Sequence, residues 1–432
     1  MNTGIVLFFV IMVLYGALSS RLSRWWITGP MVFVGAGYLL GPGGVGWLNI
    51  APDVESIKQL TEITLAILLF ADASTLDLWK VEEDVNLPLR LLTIGLLLTI
   101  GLGALVAVVL LRGEGLAFAA LIGAILAPTD AALGLSIFNN PRVPSRVRRA
   151  LNVESGLNDG ISTPFVTLFV AIAATETFGG GGRWLATALS EITLALVAGI
   201  AVGIAGGWLL VQARRRKLNS GGAEQMAVLG LALAAYFGSL AIHGNGFIAA
   251  FVAGITFRRI TSNQLKEATS VTENFGTFFS VLVWGVFGAV MLPMAFQFTT
   301  DWRPILYAVL SLTVIRMAPV AIALLGAGLR RDTVAIMGWF GPRGLASVVF
   351  TLLAFVGFSD IGKPVDTLMA VTCWTILFSV IAHGLSAAPL SAWYANRLAK
   401  ASPPPIELKA MDEPRHRRGL LSDVEAAGRA NL

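Results

Sequence analysis

The sequence predicts an all-α polytopic membrane protein of about thirteen transmembrane helices, on three observations. Of its 432 residues 56% are hydrophobic and only 13% charged, with a mean hydropathy of +0.76, against roughly 25% charged residues in a soluble domain. Hydrophobic runs of about twenty residues recur between short polar stretches. Lys and Arg crowd into alternate loops, as the cytoplasmic sides of such spans require.

The first run, near residues 3–19, follows Met1-Asn2-Thr3-Gly4 with no positive leader or cleavage site, so it is expected to stay in the protein. Runs near 27–41, 57–71 and 88–111 come next. The fifth, near 115–138, contains Ala127-Pro128-Thr129-Asp130, where proline removes a backbone donor within the span. The sixth, near 147–174, contains Asn152-Val153-Glu154-Ser155-Gly156-Leu157-Asn158-Asp159-Gly160. In the seventh, near 184–210, Gly199, Gly203, Gly206 and Gly207 read as close helix packing rather than a binding loop. Runs near 223–241, 246–259 and 272–292 precede the eleventh, near 303–327, which holds the intramembrane Arg316. The twelfth, near 332–357, is interrupted by Gly341-Pro342-Arg343-Gly344, and the thirteenth spans roughly 365–393. Residues 1–395 therefore form the membrane unit, and 396–432, with Pro403-Pro404-Pro405 and mixed charges, read as a short disordered cytoplasmic tail. Gly179 to Gly182 reads as a flexible outside loop.

The basic residues fix an orientation. One set of loops carries Arg21 and Arg24; Lys80 and Arg90; Arg142, Arg146, Arg148 and Arg149; Arg214, Arg215, Arg216 and Lys217; Arg258, Arg259 and Lys266; and Arg330 and Arg331. The other set holds only Lys58, Arg112, Arg183, Arg303 and Lys363. The N-terminus is expected outside and the C-terminus in the cytoplasm, which an odd number of spans satisfies. A net charge of +5 then reflects cytoplasmic loops at a lipid bilayer, not nucleic acid. The single cysteine, Cys373, excludes internal disulfides and four-cysteine metal sites and reads as buried packing.

A carboxylate at the centre of a membrane helix costs roughly 3 kcal/mol, so Glu154 and Asp159 in one span demand a partner, an ion or water. At helical pitch Glu154 lies one turn below Asn158 and Ser155 one turn below Asp159, giving two adjacent polar rows. Two broken helices, one in each half of the chain, are the pattern of a transporter with inverted repeats and a midplane site. A negative residue suits the N-terminal end of a half-helix and a positive one the C-terminal end, and Asp130 and Arg343 carry those signs. A group that holds either a proton or a cation must be a carboxylate titrating near working pH, and Asp159 is the candidate, coupled to Asp130. Ser155, Asp159, Asp130 and the Thr129 carbonyl would supply hard oxygen ligands to a dehydrated alkali ion.

Pro128-Thr129-Asp130, Glu154 through Gly160, Gly246-Phe247-Ile248-Ala249-Ala250-Phe251-Val252-Ala253-Gly254 and Gly341-Pro342-Arg343-Gly344 resemble the signatures of the cation:proton antiporter one family, the NhaP- and NHE-type exchangers. The stretch from Gly29-Pro30 to Gly41-Pro42 and His383-Gly384-Leu385-Ser386 extend the resemblance over nearly the whole membrane portion. It implies the NhaA/NhaP-like fold of thirteen helices with two discontinuous crossing helices, dimer and core domains interleaved in sequence, a homodimer in the plasma membrane, and sodium for proton exchange without a cofactor. The pair Asn158-Asp159 implies electroneutral exchange, since Asp-Asp marks the electrogenic members. The resemblance also implies that Glu154 pairs with Arg343 and that this pair orients Asn158; Arg316 is the alternative partner.

Asp72 is a candidate for the inner ion funnel, or else a solvated helix-end acid. His243 is expected to be solvated in an outside turn rather than a pH sensor, and His383 to be packing. Potassium for proton exchange by the same fold is the nearest rival. An intramembrane aspartyl protease would also need two membrane aspartates, yet Asp159 lacks a Gly-x-Gly-Asp context and Arg343 would go unexplained. A polar site across the path disfavours a passive channel, and no phosphate-binding Gly-Lys loop suggests nucleotide use.

Overall fold

Every hydrophobic run of the sequence coincides with a helix or an interrupted pair of helices, and no strand occurs among the described residues. The computed structural model describes residues 2–48, 54–75, 86–111, 115–178, 183–262, 264–265, 267–359, 365–401 and 406–408. Lys80, Arg112, Gly179 to Gly182, Lys266, Lys363, Pro403 to Pro405 and the chain after Leu408 lie outside the described residues.

The helices are α1 (Asn2–Arg24), α2 (Gly29–Leu40), α3 (Val54–Thr75) and α4 (Asn86–Leu110), the last with a π turn at Leu91–Gly95. Then come α5 (Leu116–Ile125), a 3-10 turn at Ala131–Gly134 and α6 (Leu135–Phe138), followed by α7 (Ser145–Phe178), α8 (Arg183–Arg215), α9 (Gly221–Ala241) and α10 (Gly246–Thr261). The second half contains α11 (Thr269–Phe298), α12 (Arg303–Ala323), α13 (Arg331–Trp339), α14 (Leu345–Ser359) and α15 (Asp366–Ala399). Eight of these are long and apolar enough to cross a membrane, and α2, α5 and α14 are shorter apolar helices. Polar and charged residues such as Glu55, Lys58, Glu62 and Asp72 in α3 dilute its hydropathy.

Two interfaces show why small residues sit where they do. Gly199 and Gly203 of α8 bring its backbone onto α10, where an added Cβ would stand 2.6 Å and 2.7 Å from the carbonyls of Ala249 and Ala253. Without a hydrophobic drive between helices in lipid, such close approach supplies the dispersion contact that holds α8, α10 and α3 together. α2 packs in the same way along the π turn at Phe287–Met291 in α11. Cys373 is buried with its thiol 3.6 Å from the Met369 sulfur, as a packing residue.

Two sequence expectations change. Arg148, counted among loop charges, is buried because its Nε donates to the Val143 carbonyl at 2.9 Å, closing the turn that leads into α7. The segment expected to be disordered from Asn396 is helical to Ala399, and Ile406–Leu408 folds back onto the start of α13. There Glu407 is fully buried, its Oε1 accepting the Arg330 backbone N–H and the Thr333 hydroxyl, each at 2.8 Å. A buried carboxylate with two donors anchors this part of the tail.

Candidate functional site

The site is built from what each broken helix leaves unsatisfied. Pro128 follows closely on the end of α5 at Ile125, so the last carbonyls of this half-helix have no helical donors. The second break supplies them. Ser347 donates to the Ile125 carbonyl at 2.7 Å, while Arg343 Nη1 donates to the Ala127 carbonyl at 2.7 Å and the Pro128 carbonyl at 3.2 Å. A guanidinium at the C-terminal end of a half-helix meets the negative pole of its dipole.

The exchange is reciprocal. Asp130 Oδ2 accepts the N–H of Leu345, the first residue of α14, at 2.9 Å, and its Oδ1 accepts the Ala132 N–H at 2.7 Å. Its own N–H donates to the Pro342 carbonyl at 2.7 Å. A carboxylate thus caps the positive end of α14, and the two breaks are stitched to one another. Glycine is required on both sides of Pro342-Arg343. A Cβ at Gly344 would fall on the Asp130 carboxylate, and one at Gly341 on the Arg316 guanidinium.

The partner of Glu154 is Arg316, not the favoured Arg343. Arg316 Nη1 and Nη2 donate to Glu154 Oε1 and Oε2 at 2.6 Å and 3.0 Å, in a two-pronged pair with both side chains at most 3% exposed. Arg343, fully buried in its own break, turns its Nη1 to the carbonyls of Ala127 and Pro128, whereas Arg316 presents both terminal nitrogens to Glu154. Arg316 lies against Gly341, so the Glu154 pair braces the second break from α7.

Asn158 also differs from expectation. It is not held in a supporting row by an arginine: its Nδ2 donates to Thr129 Oγ1 at 2.6 Å, and Thr129 Oγ1 lies 3.2 Å from Ser155 Oγ. Thr129, Ser155 and Asn158 are all buried, and the Asn158 Oδ1 has no hydrogen-bond partner. Ser155 and Asn158 therefore dock α7 onto the first break beside Thr129 and Asp130. Asp159 and Asp130 are each half-buried, with the Asp159 Oδ1 itself shielded from solvent. Thr163 donates to the Asp159 carbonyl at 2.9 Å, in the next turn of α7.

Asp72 stands half-buried in the last turn of α3. His243 is exposed in a turn with φ +60°, away from any core. Sequence reasoning missed Ser347, one turn beyond Arg343, and Ser379, whose hydroxyl accepts the Arg343 backbone N–H at 2.6 Å. The signal for Ser347 was its helical spacing from Arg343; for Ser379 it was a hydroxyl one turn before a histidine in an apolar run.

The hydroxyls of Thr129 and Ser155 and the Asp130 carboxylate stand where the two half-helices meet, beside the helix that carries Asp159.

The family model described as sodium/hydrogen exchanger, transmembrane, matches residues 6–393. The K(+)/H(+) antiporter NhaP of Alkalimonas amylolytica is 24% identical over 414 residues, covering 94% of this chain and 69% of that protein. The Na(+)/H(+) antiporter of Schizosaccharomyces pombe is 26% identical over 325 residues, covering 67% of this chain and 69% of its own length. The solved structure of the sodium proton antiporter MjNhaP1 from Methanocaldococcus jannaschii at pH 8 shares the fold, with a TM-score of 0.73 at 20% identity over 91% of this chain and 99% of that one.

Proposed function

As this chain belongs to the sodium/hydrogen exchanger family, a family of cation/proton antiporters and not of enzymes, we propose that it exchanges sodium for protons by alternating access, with cation and proton competing for Asp159. The observation that carries this reading is the docking of Ser155 and Asn158 onto Thr129, which sets the helix bearing Asp159 against the break bearing Asp130. Ser155, Asp159, Asp130 and Thr129 would hold the cation, here the transported substrate. Proton loss from Asp159 opens an anionic ligand, and proton uptake expels the ion. Glu154 and Arg316 brace the site, Arg343 ties the breaks together, and Asp72 lines the inner funnel. No catalytic group or cofactor is required.

Exchange is electroneutral, the reading that the pair Asn158-Asp159 carries by resemblance to the family. The fold has thirteen spans in inverted repeats, with the half-helices of the two breaks crossing at mid-membrane. The chain works as a homodimer in the plasma membrane, N-terminus outside and C-terminus cytoplasmic, where it serves pH homeostasis.

Potassium is the second reading. A relative matched over 94% of this chain carries the name of a K(+)/H(+) antiporter. Reconstituted vesicles with a pH dye, challenged in turn with sodium, lithium and potassium under clamped and free membrane potential, test these statements. Sodium-driven proton movement indifferent to the potential is expected. A response to potassium alone transfers the reading to potassium, dependence on the potential removes electroneutrality, and no response to any of the three ions contradicts exchange.

A further inference from the structure

His383, expected as packing, stands at the junction of the second break. It is fully buried, and its Nε2 lies 2.9 Å from the carbonyl of Trp339, the last residue of α13. A carbonyl only accepts, and we assign the ring hydrogen to Nε2, the tautomer that lets Nε2 donate to Trp339 and lets Nδ1 accept from a hydroxyl. The Trp339 carbonyl stands at the end of a half-helix, beyond its helical donors, and besides His383 it receives the Gly341 N–H at 2.8 Å.

The other face of the ring looks to Ser379. Nδ1 lies 3.2 Å from the Ser379 hydroxyl and 3.0 Å from its carbonyl, and with the hydrogen on Nε2 the Nδ1 accepts from the hydroxyl. The same hydroxyl accepts the Arg343 backbone N–H at 2.6 Å. The polarity runs consistently from the Arg343 N–H to Ser379, from Ser379 to His383 and from His383 to the Trp339 carbonyl. Ser386, one further turn along α15, accepts the Trp339 indole N–H at 2.9 Å, and the imidazole lies against the indole with centroids 5.0 Å apart. Ser379, His383 and Ser386 share one face of α15 at helical spacing.

We propose that His383 is a positioning residue of the cation site, clasping both ends of the second break. Through Trp339 it fixes where α13 stops. Through Ser379 it fixes the backbone of Arg343, whose guanidinium holds the Ala127 and Pro128 carbonyls next to Thr129 and Asp130. The claim rests on the exchange reading above, because its consequence is the geometry of the cation ligands. A packing residue would not need ring nitrogens within 2.9 Å of the Trp339 carbonyl and 3.2 Å of the Ser379 hydroxyl at once.

Full-length protein in vesicles, assayed for cation-driven proton flux over a sodium range, separates the possibilities. His383→Phe keeps an aromatic ring against Trp339 but loses the donor, and is expected to raise the apparent KM for sodium about tenfold, the scale of one lost hydrogen bond. His383→Gln keeps an N–H able to reach the Trp339 carbonyl and is expected to hold KM within about threefold. Misfolded protein lowers the maximal rate of a preparation but leaves the KM of the folded fraction unchanged. A wild-type KM in His383→Phe, or an equal rise in His383→Phe and His383→Gln, overturns the proposal. If His383→Phe yields no folded protein, Ser379→Ala, which removes the acceptor of the Arg343 N–H, carries the same test: a raised KM supports the clasp and an unchanged one overturns it. Absence of flux in the wild type contradicts the exchange reading itself, whereas wild-type flux with an unmoved KM in the variants defeats only the clasp.

Discussion

Replacing Arg316 by methionine keeps much of the side-chain volume and strands the Glu154 carboxylate where it is 3% exposed. Two donors at 2.6 Å and 3.0 Å are lost. With charge centres roughly 4 Å apart and an effective dielectric of about 20, the attraction removed is about 4 kcal/mol. That agrees with the loss of about 3 to 5 kcal/mol seen when one member of a buried pair is deleted. Against a total stability of about 5 to 15 kcal/mol, the single variant should be markedly less stable in detergent. Glu154→Gln strands Arg316 instead and should lower thermal stability and yield more than ion binding. The double variant buries neither charge, so its loss should fall well short of the sum, with a coupling of roughly 2 to 4 kcal/mol. The assay is thermal unfolding followed by size exclusion for the wild type, both single variants and the double. Additive losses would refute the pairing, as would an equal coupling between Glu154 and Arg343. Normal stability with lost ion binding in Glu154→Gln would move Glu154 into the ligand set.

Gly344→Ala forces the Asp130 carboxylate away from the N-terminus of α14, so exchange should be lost; Gly357→Ala, with its nearest atom at 4.0 Å, should retain it and gain up to about 1 kcal/mol from helix propensity. Equal transport by both variants would show that the contact at Gly344 does not matter. Glu407→Ala leaves the Arg330 N–H without its acceptor and the Thr333 hydroxyl with only Tyr394, and a loss of about 1 to 3 kcal/mol in thermal stability with exchange intact is expected. An unchanged melting point after truncation following Lys400 would remove the anchoring role of the tail. A tag placed at either terminus and probed in intact cells should be reached outside only at the N-terminus; both ends on one side would break the proposed thirteen-span topology.

Much of the architecture was legible because lipid imposes simple rules on sequence. Apolar runs of spanning length, a proline beside a charge in mid-span and polar residues three or four apart are all one-dimensional signals. They located the fifth and twelfth runs as broken helices and marked Ser155, Asn158 and Asp159 for one region of α7. The partner of Glu154 was not legible. Arg316 and Arg343 both lie in apolar runs of the second half, and only the three-dimensional course of the chain shows that Arg316 faces Glu154 while Arg343 turns its Nη1 to the Ala127 and Pro128 carbonyls. Asn158 shares the row of Glu154 by spacing, yet its partner was not legible either: adjacent helical rows are about 100° apart, and its amide reaches across that angle to Thr129. Arg148 looked like a loop charge because sequence does not show that its Nε closes the Val143 carbonyl. Glu407 sits in a Pro-rich, charged stretch whose composition matches a solvated tail, and its burial depends on donors at the start of α13, more than seventy residues earlier.

The central claim is competition between cation and proton for Asp159. It is tested most directly by adding sodium to the purified protein in weakly buffered detergent and recording pH while cation binding is followed in parallel. Sodium binding should release protons from the wild type, and Asp159→Asn should neither release protons nor bind the ion. Sodium binding by the wild type without proton release, or undiminished release from Asp159→Asn, would contradict the account.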